Sequence, residues 1–167
     1  AEEAGLLGSR FFASTLDPEM CVANINYEST PVWGRSRDLM AVGAEYSELE
    51  GLVTETAAEM GLEYSPFSMS NQGFFYRSDQ FSFARYGIPG IWLSAGEDFV
   101  SGKNRIQEFF TGDYHTVEDE FDPEWELESC MQTIEAAVRL VGRINGRRQP
   151  IAWQGRMTFP VEKKKKQ

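Results

Sequence analysis

Histidine is almost absent from this chain: His115 is the only one in 167 residues. A centre built from several imidazoles of these residues alone is therefore excluded. Cysteine is nearly as scarce. Cys21 and Cys130 are too few for a disulfide scaffold and lack the close spacing of a thiolate metal site. Each lies in an apolar segment and reads as a buried free thiol, with a bridge between the two as the alternative. Positive charge is short as well, with 16 Lys and Arg against 26 Asp and Glu and a net charge of -10. That argues against a nucleic-acid partner, which needs a basic face to meet phosphates. The basic run Lys163 to Lys166 reads as a solvated tail. No apolar stretch reaches the roughly 18 residues that a membrane span requires, and there is no internal repeat. With 41% hydrophobic residues the chain can bury one core of moderate size.

What is present begins with two adjacent carboxylates, Glu2 and Glu3, leading into a glycine-marked turn. Neighbouring residues on irregular backbone point in different directions. One carboxylate can therefore bind a divalent metal while the other takes the proton of a water that the metal activates, which is the division that hydrolysis requires. Taken alone, the pair reads rather as two solvated residues at a frayed terminus.

The pattern of the chain predicts alternating helices and strands. Residues 5–15 read as a short helix ended by Asp17-Pro18, and 20–27 as a core strand with Glu28 at its carboxyl end, where open α/β sheets gather their sites. A second strand covers 38–42. Ser47-x-x-Glu50 reads as a capping box opening a helix with Leu49, Leu52, Val53, Thr56 and Met60 on one face and Gly61 as its stop. Residues 65–73 read as a loop, 78–86 as a helix ended by Gly87 and Pro89, 91–93 as a buried strand and 96–113 as a polar loop delivering Tyr114-His115. The longest helix, 127–144, carries Leu127, Cys130, Met131, Ile134, Val138 and Val141 at core spacing, and Gly146 ends it. Residues 1–148 form the body, and 149–167 a trailing segment with one strand at 151–153.

Four separated motifs occur in one order: Glu-Glu-x-Gly-Leu-x-Gly-Ser at the start, Ala23 to Glu28, Tyr76 to Ala84 with Gly87-Ile88-Pro89, and Tyr114-His115 ahead of Glu118-Asp119-Glu120. Together they resemble the M28 family of zinc aminopeptidases over about residues 1–145. The resemblance implies a zinc-dependent aminopeptidase that removes the N-terminal residue of a peptide substrate. Glu2 would be the general base, Glu3 and Glu28 would hold separate zinc ions of a two-zinc centre, and His115 would complete one of them. Tyr76, Asp79 and Tyr114 would contact substrate, the phenols as donors to a developing oxyanion. Asp79 reads equally as a helix N-cap.

Two positions depart from the family pattern. Glu28 stands where the family usually has Asp, and Gln80 where a His commonly follows the Ser-Asp pair. The family site also draws a His and a metal-bridging Asp from a segment upstream of the Glu pair. The chain is thus expected to be the C-terminal portion of a peptidase domain, completed by an upstream segment or a companion chain. The fold expected from both lines is α/β, a three-layer αβα sandwich around a mostly parallel, mixed sheet, present as a partial domain. The family favours a secreted or periplasmic setting, although no signal segment can be read. Two other readings compete: a non-catalytic binding or assembly module on the same fold, and a single-zinc enzyme resembling glutaminyl cyclases, in which Asp79 would serve near the metal.

Overall fold

The computed structural model describes residues 2–155 and 159–162, so the Lys163–Lys166 run lies outside the described residues. The sheet has four strands in the order β1-β4-β2-β3. These are β1 (Asn24–Asn26), β2 (Asp38–Val42), β3 (Glu63–Tyr64) and β4 (Gly90–Ala95). The pairs β1–β4 and β2–β3 are parallel and β2–β4 is antiparallel, which gives the mixed, mostly parallel sheet expected.

Strand alternation builds the three layers. Leu39 and Ala41 of β2 and Ile91 and Leu93 of β4 point to one face. There they pack with Leu49, Leu52, Val53 and Ala57 of α2 (Leu49–Glu59) and Ala136, Leu140 and Ile144 of α6 (Glu128–Asn145). Met40, Val42 and Trp92 point to the other face, into an aromatic cluster of Phe67, Phe74, Phe75 and Phe159 with Ala84 and Ile106. Both faces are covered, so β2 and β4 are buried along their whole length.

Several local expectations are corrected. The first strand spans only three half-buried residues, because among the described residues β1 has a partner on one side alone, and it ends two residues before Glu28. The capping box does not close: the Ser47 N–H already donates to the Ala44 carbonyl at 3.0 Å, and Ser47 Oγ instead accepts from the Leu49 N–H at 3.3 Å. The helix expected over 78–86 is shorter, α4 (Gln80–Ala84), because the Ser78 backbone is extended, and the aromatic run ahead of it forms a separate turn, α3 (Phe74–Arg77). The polar loop 96–113 contains α5 (Ile106–Thr111), anchored by buried Ile106. Cys21 and Cys130 are free thiols, but half-buried rather than buried.

The largest correction concerns α6. Its buried face is Ser129, Gln132, Thr133, Ala136, Leu140 and Ile144, whereas Leu127, Met131, Ile134, Val138 and Val141 are 45–68% exposed. Small residues let the helix approach the sheet closely. Gln132 is fixed by accepting the Ser36 N–H at 2.9 Å and donating to the Ser36 carbonyl at 3.0 Å. Apolar periodicity locates a stripe but not what covers it. At the other end of the chain, Ile151 and Phe159 are buried and Trp153 forms a single bridge with Ser47, in place of a strand over 151–153.

Candidate metallohydrolase site

The loops that follow β1 and α5, the junction of α3 with α4, and the turn before α1 (Leu7–Thr15) meet around a cavity of about 670 Å³. Glu2, Glu3, Glu28, Tyr76, Asp79, Tyr114 and His115, all seven residues singled out in the sequence, line it.

The acidic pair is presented by a tight turn in which the Glu2 carbonyl accepts from the N–H groups of both Gly5 and Leu6 at 2.9 Å. Leu6 takes left-handed backbone at φ 60° to start α1. That helix is held against α4 by the Ser9–Ser82 hydroxyl contact at 2.8 Å and an edge-on Phe12–Phe83 pair.

His115 Nε2 lies 2.8 Å from Glu3 Oε1. Its backbone is also left-handed, at φ 62°. Its ring stacks on Tyr114 with centroids 3.7 Å apart, and Tyr114 rests in turn on Phe109 and Phe110 of α5. The helix missing from the sequence reading thus carries the platform that aims the imidazole.

Glu28 is held from below. Asn26 Nδ2 donates to Glu28 Oε2 at 2.9 Å and to Gln80 Oε1 at 3.0 Å, using both hydrogens of one amide. Gln80 is fully buried, so the departure from the family pattern at position 80 anchors the Glu28 support. In the sequence motif Asn26 has no evident role. Its signal was its place two residues ahead of Glu28, on the same side of the strand direction. Asp79 is the first residue of the α4 turn, but its side chain accepts no capping hydrogen bond.

The electrostatics follow from crowding. Burial raises the Glu2 carboxyl above its ordinary value, and the charges of Glu3 and Asp79 raise it further. Burial also raises Glu28, against the hydrogen bonds of Asn26 and Ser78, with Glu2 and Asp79 adding to the rise. Tyr114 is raised by burial and by Glu3 and Glu2, which keeps its phenol a donor. Arg10, Arg77 and Arg85 also line the cavity, with Arg85 paired to Glu162 and Arg77 set over the Phe74 ring at 4.7 Å. Carboxylates that repel one another, with an imidazole paired to one of them, suit a divalent cation in kind. In number they fall short: among the described residues no three His, Cys, Asp or Glu side chains are grouped to hold a metal ion.

The family model described as "Peptidase family M28" matches residues 1–139. The chain belongs to peptidase family M28. Its fold matches the crystal structure of Legionella pneumophila LapA aminopeptidase with a TM-score of 0.65 at 16% identity. The match covers 89% of this M28 chain and 38% of the LapA chain, so the M28 chain spans well under half the length of that structure. No curated protein matches it. No helix among the described residues is long and apolar enough to cross a membrane.

Proposed function

We propose that this chain carries part of the active site of a zinc-dependent aminopeptidase. The observation that supports the reading best is the convergence of Glu2, Glu3, Glu28 and His115 on one cavity, with His115 Nε2 2.8 Å from Glu3 Oε1. Glu3 and His115 would hold one zinc ion and Glu28 the other. A His and a bridging Asp from outside these residues would complete the two-zinc centre, since a zinc ion ordinarily has three protein ligands. When bound, zinc supplies Lewis-acid activation of water and of the scissile carbonyl.

The residues of the chain do the rest. Glu2, with its raised proton affinity, accepts a proton from the attacking water and passes it to the leaving amine. Tyr114 stays protonated and donates to the oxygen on which charge develops, with Tyr76 as a second phenol at the cavity wall. Asp79, whose side chain does not cap α4, receives the free ammonium of the substrate. That contact would confine cleavage to the first residue of a peptide.

The test compares the completed protein on a set of peptides with free and acetylated N-termini, with zinc measured by elemental analysis. Release of only the first residue from the free peptides, with about two zinc ions per site, is the expected result. Internal cleavage, or cyclisation of N-terminal glutamine without hydrolysis, would overturn it.

A further inference from the structure

The cavity of the candidate site is lined by charges of both signs, and the two signs are kept apart. The acids form one group: Glu3 and Asp79 act on Glu2, and Glu2 and Asp79 act on Glu28. The wall built by α1 and α4 contributes Arg10 and Arg85, and neither is among the charges that act most on Glu2 or Glu28. Among the described residues Arg10 forms no ion pair, although four carboxylates line the same cavity. Arg85 is paired with Glu162, which stands outside the cavity lining, and the Arg85 carbonyl accepts from the Glu162 N–H at 2.6 Å. One arginine is thus braced from behind and the other is open.

Helix geometry places the two arginines together and sets their distance from the acids. Leu6 and Arg10 lie one turn apart, joined by the Arg10 N–H to the Leu6 carbonyl at 2.9 Å, and both face the cavity. Asp79, Ser82 and Arg85 recur every third residue on the cavity side of α4, with helical backbone at Asp79 and at Arg85. The Ser9 hydroxyl lies 2.8 Å from that of Ser82, so α1 sets Arg10 beside the second half of α4, where Arg85 closes the helix. At a rise of 1.5 Å per residue, Asp79 and Arg85 stand about 9 Å apart along the axis. An extended peptide advances about 3.3–3.6 Å per residue. A peptide with its ammonium at Asp79 therefore brings its third residue level with Arg85. Guanidinium groups present several N–H donors in a planar fork that matches a carboxylate.

We propose that Arg10 and Arg85 form a subsite for a carboxylate on the third residue of the peptide, either its C-terminal carboxylate or the side chain of an acidic residue there. The substrate class is then tripeptides, or peptides acidic at the third position. The inference deepens the aminopeptidase reading and rests on its placement of the substrate ammonium at Asp79.

The probes are trialanine with a free carboxyl terminus, its C-terminal amide, and a tripeptide amide ending in glutamate. Their binding to the metal-free chain is read by isothermal titration calorimetry at low salt. Trialanine should bind about tenfold more tightly than its amide, and the preference should shrink as salt is added. In Arg10→Gln the ratio should fall toward one, and in Arg10→Glu it should invert. Position 10 is exposed and both replacements favour a helix, so circular dichroism should match the parent. No binding of trialanine, equal affinity for acid and amide, or a preference for the acid that survives in Arg10→Glu would each overturn the subsite. The glutamate-ended amide separates the two sources: binding like trialanine extends the substrates to longer acidic peptides, and binding like the plain amide confines them to tripeptides. Hydrolysis with zinc present is measured separately. A carboxylate preference in binding without release of the first residue would sink the aminopeptidase reading and leave the subsite standing, whereas release at equal kcat/KM from acid and amide would do the reverse.

Discussion

Glu3 and His115 lie far apart in the sequence and meet at 2.8 Å, with the imidazole plane held by Tyr114. If this pair is one half of a zinc shell, His115→Ala in the completed protein should lose one zinc ion and essentially all turnover. Elemental analysis after dialysis reads the loss directly. Two zinc ions retained by the variant would remove His115 from the ligand set.

Glu2→Gln keeps shape and hydrogen bonding but cannot take a proton. A drop in kcat of about 10²–10⁴, with zinc content near normal, is expected. Loss of zinc instead would show that Glu2 and Glu3 have exchanged roles.

Asn26 touches no reacting atom in this scheme and acts through Glu28 as a positioning residue. Asn26→Ala frees Glu28 Oε2 and leaves the buried Gln80 Oε1 without its donor. A zinc affinity lowered about 10–100-fold, read by competition with a chelator, is the expected effect. Asn26→Ser, which keeps a donor, should recover part of it.

The crowded carboxylates set the pH dependence of the metal-free chain. Glu2 and Glu28 hold their protons more tightly when folded than at the ordinary value of 4.5, so folding takes up protons between the two values. Their contribution to stability is full below 4.5 and is lost as pH rises through the folded values. Glu28→Gln should therefore flatten the fall in Tm on the alkaline side and raise Tm at pH 7, with little change near pH 4. A variant less stable at pH 7 would contradict this.

Two glycines make a paired test of the scaffold. At Gly96 an added Cβ would sit 2.1 Å from Asp38 Cγ, and the Asp38 carboxylate already accepts from Ser36, Glu97 and Asp98. Gly96→Ala should cost about 1–3 kcal/mol in denaturant unfolding. At Gly51, within α2, nothing lies within 4 Å, and Gly51→Ala should gain about 0.5–1 kcal/mol.

Much of the site was legible in the sequence because its residues sit in short motifs: the seven named side chains all line one cavity. Their supports were not. Asn26 and Gln80 meet across 54 positions, and α5 is a two-turn helix whose anchor, Ile106, is its only buried residue. Local pattern carries no record of such contacts. The failure at α6 is of another kind. Its apolar stripe was read correctly as apolar, but the side facing the sheet is chosen by Gln132, Ala136 and close packing. Hydrophobicity without a known neighbour does not tell core from interface.

Leu6 and His115 are the two residues other than glycine that carry left-handed backbone among the described residues, and both line the cavity. Each conformation is disfavoured for a side chain with a Cβ. Leu6 is buried, so its packing offsets that cost, whereas the His115 side chain is 52% exposed and stability alone would favour glycine there. A descendant of this sequence that keeps His115 is therefore still under demand for what the imidazole does, and one that has drifted to glycine there has been released from it.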